Sequence, residues 1–222
     1  MVVDLPDYAR AIALPAVVTD PASCLGSTDV IDTEHPTIAA WVARVGKQPR
    51  ALFMTVRDQV EYDLAPSLTT RASWLASATL ERKTGFCQQK AVALAAVLRY
   101  AGIPAAIDFQ HIRDHKLIEP KFAKVLPGGI IAFHGRVRAF IDDAWIVLDP
   151  SLDMMMCAAR GYRVSGYGHP LPKTDTWGRP HFDELGTAGP FADLPKSVSD
   201  VALALGPMWK DLQTAKAGGA SM

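Results

Sequence analysis

Cysteine is scarce in this chain, which has three among its 222 residues: Cys24, Cys87 and Cys157. A small, odd number of cysteines does not build a disulfide framework, and free thiols are typical of a reducing compartment. The first residues show no basic segment followed by an apolar run, and the sequence has no apolar stretch of about 18 residues. We therefore expect a cytoplasmic protein without a signal peptide or a membrane span.

An excess of either charge is also lacking, because 23 Lys and Arg residues balance 23 Asp and Glu residues. A neutral chain has no global electrostatic attraction for nucleic acid or for an anionic membrane, so neither is expected as a partner. No internal repeat or low-complexity block is evident. The composition, 49% hydrophobic and 21% charged, is that of an ordinary globular protein with a core of useful size.

These features predict a single domain over residues 1–222. Within it we expect an irregular N-terminal arm (1–26), a core that carries the chemistry (27–153) and a Pro- and Gly-rich C-terminal wrap (154–222). Apolar residues at helical spacing predict helices over about 36–46 and 50–60. A longer helix is predicted to begin at Cys87, since one stripe holds Cys87, Ala91, Leu94, Ala95 and Leu98.

Two strands and a tight turn are predicted after this helix, beyond a first strand over 105–109. Odd positions from 131 to 141 are mostly apolar, which is the period of a strand with one buried face. Asp142 and Asp143 form a turn into a partner strand over 144–149. Symmetric pairing about that turn places residue 134 near residue 151, so His134 and Asp149 are expected to be close in space.

Cys87, His134 and Asp149 together have the layout of a nucleophilic cysteine site. A helix N-terminus favours the thiolate, a histidine acts as its base, and a carboxylate orients that histidine. Each residue alone has a plainer interpretation: a buried inert cysteine, a surface histidine on a solvated sheet face, and a turn-forming Asp-Pro pair. The predicted proximity of His134 and Asp149 favours the catalytic interpretation.

The surrounding motifs resemble the transglutaminase-like family, including many of its bacterial members. The resemblance covers roughly residues 27–153 and rests on three motifs in order. They are Thr84-Gly85-Phe86-Cys87 leading to Gly102-Ile103-Pro104-Ala105, then His134-Gly135-Arg136-Val137, then Trp145-Ile146-Val147-Leu148-Asp149-Pro150. The stretch that ends in Glu61-Tyr62-Asp63 is similar to the family's helix and Tyr-Asp step before the nucleophile.

The resemblance implies an α+β, papain-like fold with N-terminal helices, in which the nucleophile helix packs on an antiparallel sheet. It also implies acyl chemistry through a thioester on Cys87. We expect hydrolysis of a small amide or peptide, by an amidase or peptidase. Two alternatives stay open: transfer of the acyl group to an amine, and a non-catalytic binding protein on the same fold. Neither a cofactor nor a metal is implied, and the sequence leaves the oligomeric state open.

Four further residues are candidates for binding the substrate. Arg136 and Arg138 share the strand face of His134 and have the geometry to bind a carboxylate, with a salt-bridged sheet edge as the alternative. Trp74 either lines the cleft or packs in the core, and Gln88 directly follows the nucleophile. Residues 110–129 are interpreted as an insertion, either a solvated loop or a lip over the site. Its His111 and His115 lack a third ligand for zinc.

Overall fold

The N-terminal half of the molecule is helical. The computed structural model describes residues 5–63, 68–119, 122–123 and 125–206. Its helices before the sheet are α1 (Asp7–Arg10), α2 (Pro36–Val45), α3 (Pro49–Gln59), α4 (Ala76–Arg82) and α5 (Cys87–Tyr100). Two short strands, β1 (Glu61–Tyr62) and β2 (Thr84–Gly85), pair in parallel and bring the end of α3 next to the start of α5.

A four-stranded antiparallel sheet follows the helices. Its strands are β3 (Ala105–Asp114), β4 (Ile130–Ile141), β5 (Ala144–Leu148) and β6 (Phe182–Phe191), in the spatial order β5-β4-β3-β6. Asp142 and Asp143 have φ of 51° and 59°, as the type I′ turn of a two-residue hairpin requires. Val137 therefore pairs with Leu148, which is the register predicted from the sequence.

Helix α5 lies at the centre of the molecule, between the helices and the sheet. Every residue from Cys87 to Arg99 is buried, and a helix that is buried all round must be packed on several sides. Its alanines at 91, 93, 95 and 96 let neighbouring elements approach closely, and β4 and α4 pack against it. The α+β class, with the helix that begins at Cys87 packed on an antiparallel sheet, is thus confirmed.

Two boundaries differ from those predicted. The strand expected to end at residue 109 continues to Asp114, so the first residues of the predicted insertion belong to β3. The predicted C-terminal wrap contains α6 (Met154–Arg160), the edge strand β6 and α7 (Lys196–Ala204). Glycines at 186 and 189 interrupt β6 and hide its period in the sequence.

The division of the chain into arm, core and wrap stays a prediction. The ends of the predicted arm and wrap, 1–4 and 207–222, lie outside the described residues, as do 120, 121 and 124 within the predicted insertion. In the part that the structure describes, no helix is both long enough and apolar enough to cross a membrane.

Candidate active site

Cys87 is the first residue of α5 and is 2% exposed. The turn before it is held by Gln89, whose side-chain oxygen accepts from the Phe86 N–H at 3.2 Å. The Gln89 amide nitrogen donates to the Ser73 carbonyl oxygen at 2.6 Å. The first N–H groups of a helix have no partner within the helix and carry its positive end. The local structure therefore fixes the Cys87 thiol at the positive end of α5.

His134 lies on β4 and Asp149 directly follows β5, so the hairpin joins them. His134 Nε2 is 2.7 Å from Asp149 Oδ2, and both side chains are buried. The Ser151 N–H donates to Asp149 Oδ1 at 2.9 Å. Burial alone would raise the pKa of Asp149, but the adjacent His134 and this backbone bond hold it below its ordinary value. The carboxylate is therefore charged and oriented by two separate bonds.

His134 is positively charged at neutral pH in this environment. Burial lowers its pKa, but the charge and hydrogen bond of Asp149, helped by Cys87, outweigh burial and raise the pKa to about 10. Among the described residues, the other ring nitrogen, Nδ1, makes no hydrogen bond of normal geometry. The Cys87 thiol is nonetheless close enough to interact with the ring. Nδ1 is thus the ring atom available to exchange a proton with sulfur.

Tyr62 is a residue of this site whose role sequence reasoning missed. Its strand pairing sets it opposite Gly85, two residues before Cys87, and its N–H donates to Asp153 Oδ2 at 2.8 Å. Burial, followed by the charge of Cys87, raises the pKa of the Tyr62 hydroxyl, which therefore stays protonated and able to donate. The Tyr-Asp step of the motif was the available signal, but it gave no direction for the side chain.

Trp74 and Gln88 are linked to each other. The Trp74 indole N–H donates to Gln88 Oε1 at 3.2 Å, and Gln88 Nε2 donates to the Phe133 carbonyl oxygen at 3.1 Å. Trp74 is fully buried. Gln88 lines the pocket beside Cys87, but its amide is already committed to the helix and the sheet. Gln88 thus joins α5 to β4, and Trp74 orients the Gln88 amide.

Arg136 and Arg138 do not line that pocket. Their Nε atoms bind the two oxygens of Asp108 on β3, at 2.5 Å and 2.9 Å, and Asp108 is fully buried. Arg136 and Arg138 are therefore salt-bridged to Asp108, which is the alternative to substrate binding that the sequence left open. The sequence could not indicate this, because Asp108 becomes the partner of both only through strand pairing.

His111 and His115, which the sequence analysis considered as zinc ligands, have different surroundings. His115 Nε2 is 3.0 Å from Asp183 Oδ2. His111 is buried on β3 beside the Phe133 ring, and burial lowers its pKa. Within the described ranges, no group of three His, Cys, Asp or Glu side chains is arranged to hold a metal ion.

A pocket opens at Cys87, with about 620 Å³ of unoccupied space including its open mouth. Parts of the chain far apart in sequence form it: α1, the start of α5, β4, α7 and residues 125–126. The last of these show that part of the predicted insertion does reach the site. The lining residues are Tyr8, Tyr62, Phe86, Cys87, Gln88, Val125, Leu126, Ile131, Ala132, Phe133, Val198, Val201, Ala202 and Leu205.

Residues 36–150 match the family model of the transglutaminase-like superfamily, just over half of the chain. The chain belongs to the transglutaminase-like superfamily. This membership supports a cysteine-dependent enzyme in general. The matched region also includes the three motifs that carry Cys87, His134 and Asp149, and Asp149 lies at its C-terminal edge.

A solved structure from Cytophaga hutchinsonii, described as that of a candidate cysteine protease, is similar to this transglutaminase-like chain. The two are 18% identical with a TM-score of 0.49. The match covers 80% of this chain and 48% of that chain, so this chain spans about half the length of that protein. No curated protein matches the sequence.

Proposed function

We propose that this protein is a cysteine hydrolase that cleaves an amide or peptide bond through a thioester on Cys87. The observation that carries the proposal is the buried 2.7 Å contact between His134 Nε2 and Asp149 Oδ2. It commits Nε2 to the carboxylate and leaves Nδ1 for the Cys87 thiol. A thiolate paired with an imidazolium is the activated state of a cysteine nucleophile.

In the proposed reaction the Cys87 thiolate acts first and the His134 imidazolium second. The Cys87 thiolate attacks the carbonyl carbon, a C–S bond forms, and the carbonyl electron pair moves to oxygen. The Cys87 N–H and the Tyr62 hydroxyl are the donors we assign to that oxyanion. His134 then gives its Nδ1 proton to the leaving nitrogen, and the C–N bond breaks. Water, deprotonated by His134, then attacks the thioester carbon. The C–S bond breaks, the carboxylic acid product leaves, and the thiolate of Cys87 and the imidazolium of His134 are restored.

Hydrolysis is favoured over transfer to an amine by the lining of the pocket. Transfer requires a second site that holds an amine, protonated in solution, against competing water. No acidic side chain is among the pocket-lining residues that the structure describes. A lysine-like acceptor would therefore find no opposite charge beside Cys87.

The test is acyl-enzyme formation on an activated substrate. The protein is mixed with N-acetyl-leucine p-nitrophenyl ester and quenched in acid, and the adduct is located by mass spectrometry. We expect a burst of p-nitrophenol and an acetyl-leucyl adduct on Cys87. Cys87→Ala should lose both. A dansylated amine added to a second sample should remain unincorporated while free acid accumulates.

Cys157→Ser is the matched control. Cys157 is also a buried free thiol, but burial, followed by the charge of Asp153, raises its pKa to about 12, so it should not react at neutral pH. A burst that persists in Cys87→Ala would overturn the proposal. Amine incorporation in place of hydrolysis would favour the transferase.

A further inference from the structure

The wall of the pocket beside Cys87 carries no charged side chain among the described residues. Its polar side chains are those of Tyr8, Tyr62, Gln88 and Cys87 itself, and its other residues are apolar. Gln88 is not free to bind a ligand, because its amide oxygen and nitrogen bond Trp74 and Phe133. Beyond Cys87, the wall therefore offers a substrate side chain mainly apolar surface and two tyrosine hydroxyls.

Part of the apolar surface comes from outside the part of the chain that matches the family. Tyr8 of α1 and four residues in or just after α7 lie beyond residues 36–150; the four are Val198, Val201, Ala202 and Leu205. Arg71 attaches this C-terminal segment to the helical part, donating to Ser199 Oγ at 2.6 Å and to the Leu194 carbonyl oxygen at 2.8 Å. This part of the pocket lining therefore comes from segments outside the matched region.

We propose that this pocket binds an uncharged, apolar acyl group, such as a leucyl, methionyl or phenylalanyl donor, with its carbonyl at Cys87. The inference rests on the proposed function and names its substrate class. An ionised side chain placed here would lose its hydration without gaining a partner, which is costly. An aliphatic or aromatic side chain gains free energy from every part of its surface that leaves water.

The experiment compares acylation rates of Cys87 by N-acetyl-amino-acid p-nitrophenyl esters with different side chains. Methionine and glutamine form the decisive pair, since their side chains are similar in length and differ in polarity. We expect the second-order rate for the methionine ester to exceed that for the glutamine ester at least tenfold. The glutamate and lysine esters should be slower still.

A charge placed in the wall should shift this preference. Val201 lines the pocket and is only partly buried, so Val201→Asp should fold. Val201→Asp should lower the rate of Cys87 acylation by the leucine ester at least tenfold. It should also raise the ratio of the acylation rate with the lysine ester to that with the leucine ester. Ala204→Asp is the matched control, because Ala204 is exposed on the same helix and does not line the pocket; it should leave the rates unchanged.

The outcomes separate this inference from the proposed function. If no ester acylates Cys87, the proposed function fails and this inference with it. If Cys87 is acylated equally fast by apolar, glutamine and charged donors, the hydrolase stands and the apolar pocket is overturned. Unchanged alkylation of Cys87 by iodoacetamide in Val201→Asp would show that the nucleophile itself is intact. A specificity that Val201→Asp does not alter would also overturn the inference.

Discussion

The contact between His134 and Asp149 decides which ring nitrogen of His134 is available to Cys87. With Nε2 bound to the carboxylate at 2.7 Å, the ring has one orientation and one free nitrogen. The same carboxylate raises the pKa of His134 against the opposing effect of burial. Asp149 therefore sets both the orientation and the charge of the histidine beside Cys87.

Asp149→Asn should remove the charge and retain the size. Without the carboxylate, burial dominates and the pKa of His134 falls, so less imidazolium is present to pair with the Cys87 thiolate. The rate of Cys87 acylation should fall by up to about 10,000-fold, the loss caused by the equivalent Asp-to-Asn change in a serine triad. The burst of p-nitrophenol measures this rate.

The control for this change is Asp143→Asn. Asp143 is exposed in the hairpin turn with φ of 59°, and asparagine tolerates that left-handed conformation well. The rate of Cys87 acylation in Asp143→Asn should equal that in the unaltered protein. If Asp149→Asn also keeps that rate, Asp149 does not act through His134.

At the scale of elements, the close approach of β4 to α5 holds the site together. A Cβ added at Gly135 would lie 2.7 Å from the Cα and 2.9 Å from the N of Gln88. These are backbone atoms of the helix and cannot rotate away. The absence of a side chain at Gly135 thus allows His134, on the strand, to reach Cys87, at the helix start.

Gly135→Ala should therefore separate the strand from the helix. We expect a loss of about 1–3 kcal/mol in the free energy of unfolding, as for overpacking in a core, together with slower acylation of Cys87. Urea denaturation gives the first quantity and the ester burst the second. Gly26→Ala should change neither, because a Cβ at Gly26 meets no atom within 4 Å. If Gly135→Ala changes neither the free energy of unfolding nor the acylation rate, β4 and α5 are free to move apart.

The sequence predicts the elements whose pattern is local. The α5 stripe and the β4–β5 hairpin were both predicted, because each depends on residues within about 20 positions of one another. The extension of β3 and the existence of β6 were not, since these two strands pair with each other across 68 to 84 residues. Long-range pairing also gives Arg136 and Arg138 their common partner, Asp108, which strand periodicity alone did not reveal.

At the scale of the whole molecule, His134 should make stability depend on pH. Its pKa rises from an ordinary value near 6.5 to about 10 on folding, so the folded chain binds more protons than the unfolded chain between these values. Its stabilising contribution is complete below about pH 6.5 and is lost as pH rises through about 10. The free energy of unfolding should therefore fall with rising pH.

Two other buried groups oppose this effect. Burial lowers the pKa of His181 to about 4 and that of Lys90 to about 8, so the folded chain binds fewer protons than the unfolded chain at His181 near pH 6.5 and at Lys90 near pH 8. The contribution of His134 is therefore read between about pH 7 and 8, from the difference between the unaltered protein and a variant. Urea denaturation at several pH values should show declining stability there, and His134→Gln should flatten the decline. A pH dependence that His134→Gln leaves unchanged would contradict the charged state assigned to His134.

The chain order of these parts has a consequence for synthesis. Cys87, His134 and Asp149 are all made before the α7 segment that closes the pocket as far as Leu205. At typical translation rates the ribosome needs about 3–11 seconds to add the residues between Asp149 and Leu205. The Cys87, His134 and Asp149 side chains are thus synthesised before the α7 part of the pocket wall.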